Sequence, residues 1–372
     1  MKVLVTGGGT GGHIYPALAI ARGIKENNPE AEILFVGTAK GMEADIVPRE
    51  GFPFRTVTVE GLTRKISVKA LTTLLKTCKG CFEAFGIIRG FKPSIVVGTG
   101  GYVCGPVVLI AGLLGIPTLI HEQNAYPGIT NKLLARIVKK VAVTFPESRK
   151  YFPVKADVVL TGLPVRPEIQ TAEREGAISA LGLGGDKFTV LTVGGSRGAR
   201  SINKAMIEVI AQAAKLKEIQ IIHMTGQLGF DETVSEIKAA GIDMVNCGNI
   251  TVKPYLYNMD EAMAAADLVI CRAGATTIAE ITVRGIPAIL IPYPYASDNH
   301  QEYNARALVE NGAALMILDH GLDGRKLWDT VRELYQDPQR LAAMGQASRK
   351  MGKPNALLHL LDIIEGFGHS RQ

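Results

Sequence analysis

The sequence predicts an α/β protein built from two Rossmann-like, doubly wound parallel-sheet domains facing a cleft. Three observations carry that expectation. Short β-branched or aliphatic runs alternate with helical periods along almost the whole chain, the pattern of successive βαβ units. The alternation lapses once, over a polar stretch after GLPVRPE, and restarts at FTVLTVGGS. At 372 residues the chain is too long for one core of ordinary size and suits two domains.

In the first half KVLVTG, AEILFVGT, SIVVGTG, PTLIHEQ, KVAVTF and DVVLTGLP read as strands of one parallel sheet, with helices such as PALAIARGIKEN between them. The run from Pro93 to Ile120 carries no charged residue over a length that could span a bilayer. Its glycines and prolines cut it into strand, loop, helix and strand, so it reads as buried α/β core. In the second half FTVLTVGGS, a helix from Ala199, QIIHMTG, a helix near Glu232 to Ala239, LVICRAG, a further helix and PAILIPYP repeat the pattern. QRLAAMGQASRK and NALLHLLDIIEGF read as two closing helices. The expected division is residues 1–163, residues 164–340, and closing helices over 341–372.

Composition is that of a globular protein, 47% apolar and 20% charged, with 41 glycines that mark turns or close backbone approaches. A net charge of +6 and a pI near 9.0 favour an anionic partner, whether nucleotide, phospholipid surface or nucleic acid. Five cysteines, an odd number, and an N-terminus without a signal-peptide pattern point to a reducing cytoplasm. Cys78 and Cys81 form a C-x-x-C pair, but inside a helical apolar period and not at a strand end, where a redox motif would sit.

Chemistry concentrates at the glycine-rich turns. Gly7, Gly9 and Gly12 satisfy G-x-G-x-x-G after a strand. A dinucleotide site would also need an acid about 20 residues later at the tip of the second strand. That tip reads ILFVGTAKG, with no acid until Glu43, so the fingerprint is incomplete. A second turn, GTGGYVCGP, follows another strand of the same half, and two such turns on one sheet edge suit the approach of a pyrophosphate to backbone N–H groups. In the second half VGGSRGA places Ser196 between strand and helix. CRAGATTIAE puts Ala275, Thr276 and Thr277 at a helix N-terminus that favours an anion, with Glu280 one turn on, spaced to meet ribose hydroxyls. The alternative for that motif alone is a capped helix with an exposed glutamate.

GGGTGGHIYPA, GGYVCGP, HEQNAYPGITNK, GLPVR, GGSRGA, CRAGATTIAE and DNHQEYNA occur in this order over residues 1 to 312. In that ordered set the chain resembles the MurG family of bacterial glycosyltransferases. The resemblance implies the GT-B fold and inverting transfer of N-acetylglucosamine from UDP-GlcNAc to the 4-hydroxyl of the N-acetylmuramoyl residue in a lipid-linked MurNAc-pentapeptide. The C-terminal domain would hold the nucleotide sugar and the N-terminal domain the acceptor. By motif match, donor contacts fall on Ser196, on Ala275, Thr276, Thr277, Ile278, Ala279 and Glu280, and on Gln301, with Leu256 against uracil. Thr10, Gly11, Gly12, Asn124 and Arg166 fall near the sugar or phosphates, and Gly9, Gly100, Gly101 and Tyr102 at the acceptor pyrophosphate. Ala273 and Thr276 replace residues seen in some members, which leaves backbone contacts intact.

Transfer to a sugar hydroxyl needs a base and a means of carrying the charge of departing UDP. His13, at the exit of the first glycine turn and just before a helix marked by Pro16, is the best-placed imidazole; it could instead bond the loop backbone. Glu122 is the competing base, or orders its loop. Leaving-group charge falls to the terminus at 275 to 277 with Ser196 and Arg166, so no metal and no cofactor is expected; the chain has no D-x-D pair and no zinc-ligand spacing.

Residues 64 to 92 carry Arg64, Lys65, Lys69, Lys76, Lys79, Arg89 and Lys92 against Glu83 alone, with Leu71, Leu74, Leu75, Cys78, Phe82 and Phe85 at helical spacing. With the lipid-linked acceptor that the resemblance implies, this reads as a face for an anionic membrane surface, placing the protein peripherally on the cytoplasmic side of the inner membrane. Nucleic acid is not an expected partner, because no aromatic stacking array is present. Competing readings are a UDP-sugar epimerase or glycolipid synthase on the same fold, and a non-enzymatic nucleotide-sugar binder.

Overall fold

Strands of three to six residues, the central ones buried along nearly their whole length, set the architecture, which a computed structural model describes for residues 1–61, 68–195 and 197–369. Seven form one sheet: β1 (Lys2–Thr6), β2 (Glu32–Gly37), β3 (Phe54–Thr56), β4 (Ile95–Gly98), β5 (Thr118–Glu122), β6 (Lys140–Val143) and β7 (Val158–Leu160). Their order is β3-β2-β1-β4-β5-β6-β7, every pair parallel. Six more form a second sheet: β8 (Phe188–Val193), β9 (Ile219–Met224), β10 (Ile250–Lys253), β11 (Leu268–Cys271), β12 (Ala288–Leu290) and β13 (Ala314–Met316). These are also all parallel, in the order β10-β9-β8-β11-β12-β13.

Parallel strands need crossover helices on both faces, and the period-2 alternation decides which residue meets which layer. On β1, Val3 and Val5 join the cluster of the Gly11–Asn27 helix, whereas Leu4 joins the opposite cluster with Ala84, Ile88, Val107 and Val108. In the second sheet Val190, Leu268, Ile270 and Ile289 pack with Ile202, Met206, Val209 and Ile210 of the Arg200–Ala213 helix and with Leu327, Val331 and Leu334. The uncharged run from Pro93 to Ile120 is β4, the Cys104–Leu113 helix and the start of β5, and among the described residues no helix is long and apolar enough to cross a membrane.

The chain divides into two compact units, Met1–Pro164 together with the segment from Asn355 on, and Val165–Pro354. The closing helices do not act as a pair. The Pro338–Met351 helix belongs to the second unit, where a Cβ on Gly345 would lie 3.0 Å from the Gly285 carbonyl. The Ala356–His369 helix returns to the first unit, burying Leu360, Leu361 and Ile364 against the Gly11–Asn27 helix, where a Cβ on Gly23 would sit 3.0 Å from Leu361 Cδ1. Three strands absent from the sequence expectation, β3, β10 and β13, hold three or four residues each, and all three are sheet edges paired with only one neighbour.

Two histidines are sealed in the fold as neutral rings. His121 Nε2–H donates to the Gly162 carbonyl at 2.8 Å, and burial pushes its pKa down to about 4. His223 on β9 has no partner at either ring nitrogen among the described residues, and burial pushes its pKa down to about 3. Depressed folded values mean that the unfolded chain binds more protons than the native one below the ordinary value of 6.5. Stability is therefore full above that value and falls as the pH drops toward 4. In urea titrations across that range, His223→Met should remove about one proton from the pH slope of unfolding.

Candidate functional site

Each sheet reverses its order of build-up at one place, between β1 and β4 and between β8 and β11. Ligands of open parallel sheets bind beyond the carboxyl ends of the strands at such a point.

In the first unit the turns after β1 and β4 interlock. The Gly8 N–H donates to the Gly100 carbonyl at 3.4 Å, and Thr99 Oγ1 donates to the His13 carbonyl at 2.7 Å. Side chains are excluded here: a Cβ on Gly7 would fall 2.0 Å from Thr99 Oγ1, and one on Gly101 would fall 2.3 Å from the Gly8 carbonyl oxygen. Gly9, Gly100 and Gly101 all have positive φ, which glycine adopts without steric cost. Cys104 is fully buried beneath them, its Sγ within 2.9 Å of the Gly100 carbonyl and 3.0 Å of the Thr6 carbonyl; burial pushes its pKa up to about 12 and keeps the thiol protonated. Tyr102 lies across the loop, its Cε1 3.3 Å from where a Gly9 Cβ would be.

His13 is not in the loop before the helix, as expected, but inside the first turn of the Gly11–Asn27 helix, and Pro16 is an interior residue of that helix. Gly11 and Gly12 hide the true start, so the proline reads as the helix opening. His13 Nδ1 lies 3.0 Å from the Gly8 carbonyl, to which it donates, and 3.3 Å from Thr10 Oγ1; this tautomer leaves Nε2 as an acceptor. The structure thus joins Thr10, Gly11, Gly12 and His13 to Gly100, Gly101 and Tyr102 at one crevice. Gly9 differs from expectation: its N–H is taken by the buried carboxylate of Glu43, at 3.0 Å, and is not free for a pyrophosphate.

Glu122, at the end of β5, is buried. Its Oε1 accepts from the Asn124 N–H (2.9 Å) and Asn124 Nδ2 (3.3 Å), and its Oε2 from the Gly128 N–H (3.1 Å) and Asn131 Nδ2 (2.8 Å). Burial raises its pKa and these donors pull the other way. Both oxygens accept from their own loop, the ordering role that the sequence left open for Glu122 beside that of a base. Gln123 ties that loop to its neighbour by donating to the Thr99 carbonyl at 2.7 Å.

In the second unit Gly274 precedes the Ala275–Arg284 helix, whose first turn carries no acid and no side-chain cap. The first-turn N–H groups lack intrahelical acceptors and present a positive terminus. Glu280, on the same helix, is 8% exposed and pairs with Arg166 through Nη2 at 3.1 Å. Burial raises its pKa, and the guanidinium offsets part of that rise. Arg166, expected near phosphates, therefore sits on the carboxylate. Gln301 accepts the Tyr293 N–H at 2.9 Å and keeps its amide NH2 as a donor. It follows Asp298 and Asn299, two non-glycine residues with φ of 53 and 55°, a strained pair of the kind stored at functional sites. Leu256 is buried, in the segment between β10 and the Met259–Ala265 helix. Ser196 lies outside the described residues.

Sequence reasoning missed the supporting groups: Glu43, Cys104, Asn131 and Gln123 in the first unit, and Arg272 in the second. Arg272 donates to the Ile291 and Pro292 carbonyls (3.1 and 3.2 Å) and to Ser201 Oγ (2.9 Å), and pairs with Asp319. Cys104, Gln123, Asn131 and Arg272 lie inside the quoted motifs without any local mark of their role, and Glu43 stands out only as an acid too late in sequence for ribose. Removal of the loop organiser should appear in stability: Glu122→Ala leaves several buried donors unpaired, costing on the order of 2–3 kcal/mol in urea unfolding. A variant with the parental unfolding midpoint and lost turnover would return Glu122 to a catalytic role.

Residues 3–143 match the glycosyltransferase family 28 N-terminal domain, and residues 189–360 its C-terminal domain. The UDP-N-acetylglucosamine–N-acetylmuramyl-(pentapeptide) pyrophosphoryl-undecaprenol N-acetylglucosamine transferase of Desulforamulus reducens is 54% identical over 98% of both chains. Its counterpart in Desulfitobacterium hafniense (strain DSM 10664 / DCB-2) is 55% identical, again over 98% of both. The crystal structure of Acinetobacter baumannii MurG superposes with a TM-score of 0.81 at 32% identity, covering 98% of this chain and 99% of that one.

Proposed function

The chain belongs to glycosyltransferase family 28, among the MurG transferases, and from that premise we propose how its residues move N-acetylglucosamine from UDP-GlcNAc to the 4-hydroxyl of the N-acetylmuramoyl residue in undecaprenyl-pyrophosphoryl-MurNAc-pentapeptide. The observation that carries the reading is the uncapped, acid-free terminus at Ala275, Thr276 and Thr277 with buried Glu280 one turn away. The terminus takes the UDP diphosphate and Glu280 accepts from ribose hydroxyls through the oxygen that Arg166 leaves open. Ile278 and Ala279 line the same turn, the Gln301 amide meets the donor, Leu256 packs on uracil, and Ser196 adds a phosphate contact.

In the first unit His13 Nε2 takes the proton of the acceptor hydroxyl. That oxygen attacks the anomeric carbon as the bond to the UDP oxygen breaks, inverting an α-linked donor to a β product. Charge developing on UDP is met by the terminus at 275–277. Gly11 and Gly12 offer first-turn N–H groups toward the acceptor pyrophosphate or the sugar, beside Thr10, Asn124 and the Gly100–Tyr102 turn.

The Val68–Phe91 helix supports peripheral attachment to an anionic membrane surface on its cytoplasmic side. Leu74, Leu75 and Phe82 are 57, 62 and 80% exposed on it, beside Lys79 and Arg89. That is a costly display of apolar surface to water and a fitting one for a lipid interface. Arg64, Lys65 and the side chains of Lys69 and Leu71 lie outside the described residues.

UDP release from UDP-GlcNAc in EDTA should depend on a polyprenyl-pyrophosphoryl MurNAc-peptide, and His13→Ala should lower kcat by about 10²–10⁴-fold with UDP-GlcNAc affinity retained. Unchanged turnover would remove His13 from the role, and release without acceptor would remove the transfer reading. Donor binding carries a pH signature of its own. Because burial raises the Glu280 pKa above 4.5, UDP-GlcNAc affinity should fall on acidification earlier than an ordinary glutamate would dictate. Calorimetric titration should show that acid limb in the parent and none in Glu280→Gln.

A further inference from the structure

Glu43 is a buried acid of the first unit, 0% exposed, at the start of the Glu43–Arg49 helix that follows β2. Three glycines make room for it. A Cβ on Gly8 would lie 2.5 Å from its carboxyl carbon, one on Gly41 2.2 Å from its oxygens, and one on Gly37 2.5 Å from its Cγ. Its Oε1 accepts from the Thr38 N–H (3.0 Å) and Thr38 Oγ1 (2.7 Å), and its Oε2 accepts from the Gly9 N–H (3.0 Å). Burial alone would raise its pKa, but these hydrogen bonds outweigh it and hold the carboxyl below its ordinary value, so the group is an anion at neutral pH.

Such an arrangement is odd beneath a loop expected to greet phosphates. A buried carboxylate repels a pyrophosphate and consumes one of the N–H groups that would bind it. Its contact leads elsewhere. The Gly8–Gly9 peptide that Glu43 grips by its N–H carries, at its other end, the Gly8 carbonyl that receives His13 Nδ1–H at 3.0 Å. A peptide is planar, so fixing the N–H fixes the carbonyl.

We infer that Glu43 is a positioning residue for the transfer reaction: through one rigid peptide it aims the Gly8 carbonyl that sets the tautomer and orientation of His13. The inference rests on the proposed role of His13 as base. It also assigns the acceptor pyrophosphate to N–H groups from Gly11 onward and not to Gly9.

The test uses the full-length enzyme with Glu43→Gln and Thr38→Val. Glutamine fills the same space but has one acceptor oxygen where the carboxylate has two, so either the Gly9 N–H or the Thr38 donors lose their acceptor and face an NH2 instead. Thr38→Val loosens the carboxylate from its far side without altering its charge. Expected for Glu43→Gln is a fall in kcat of about 10- to 100-fold, the scale of a small misplacement of a reacting group. UDP-GlcNAc affinity should stay within about twofold of the parent, its site lying in the other unit, and Thr38→Val should shift kcat in the same direction by less. Hydrogen exchange should speed up in a peptide spanning residues 7–18 and not in the second unit. Parental kcat in Glu43→Gln, or a loss of donor binding in step with kcat, overturns the proposal; if Glu43→Gln does not fold, Thr38→Val with parental kcat and exchange overturns it. His13→Ala, assayed alongside, separates the two readings: parental turnover there removes the base assignment itself, whereas an inactive His13→Ala with an active Glu43→Gln removes only the role of Glu43.

Discussion

The Gly8 carbonyl oxygen and the Cα of Gly101 approach so closely that a methyl group on the latter would stand 2.3 Å from the former. This backbone-on-backbone contact is what the rest of the first unit's site depends on. β1 and β4 are sheet neighbours, so the turns leaving them must pass each other within the width of a strand pair. Only glycine lets them do so, and the crossing places a helix terminus, a hydroxyl at Thr99 and the His13 ring at one crevice. The groups beneath the crossing hold it in place. The Cys104 thiol bonds both turns, Gln123 fastens β5's loop to β4's, and Glu122 holds that loop in shape. No group in this set needs to touch a substrate for the site to exist.

The second unit repeats the device one strand over. A Cβ on Gly198 would lie 2.1 Å from the Thr225 carbonyl, which locks the turn after β8 to the turn after β9. The turn after β11 is fixed by charge instead, with Arg272 tied to the Ile291 and Pro292 carbonyls and to Asp319. A half-exposed ion pair would contribute little. This one is largely buried, with guanidinium and carboxylate 14 and 19% exposed, and its further hydrogen bonds are what make burial tolerable.

The division of what could and could not be read from sequence follows from range. Buried parallel strands such as KVLVT and FTVLTV announce themselves because burial on both faces demands unbroken apolar runs. β3, β10 and β13 are too short for any period to show, and they exist because a neighbouring strand offers an unpaired edge. The glycine turns and the Ala275 terminus were legible as strand–turn–helix junctions. The true start of the first helix was not, because glycines at 11 and 12 look like loop and Pro16 looks like a first helical residue. Glu43 was unreadable for a different reason. Its partners at Gly9 and Gly8 lie 34 residues and more away, and nothing local distinguishes a carboxylate that will be buried from one that will be solvated.

The two units resolve the same electrostatic problem in opposite ways. Both glycine-turn helices begin without a side-chain cap and without an acid in the first turn, so both termini carry uncompensated positive potential. In the first unit a buried anion, Glu43, already lies under the loop and moderates that potential. A site with a weaker pull on anions holds its ligand less by charge, which in the proposed assignment suits an acceptor pyrophosphate that leaves as product still carrying its lipid. In the second unit the acid of that helix, Glu280, is a turn away from the terminus and shared with Arg166. With UDP placed there as proposed, that potential is available when the sugar–phosphate bond breaks and UDP gains charge. Under the proposed assignment the stronger terminus meets the charge that develops and the weaker one the charge that is constant, an arrangement that favours the transition state over the ground state.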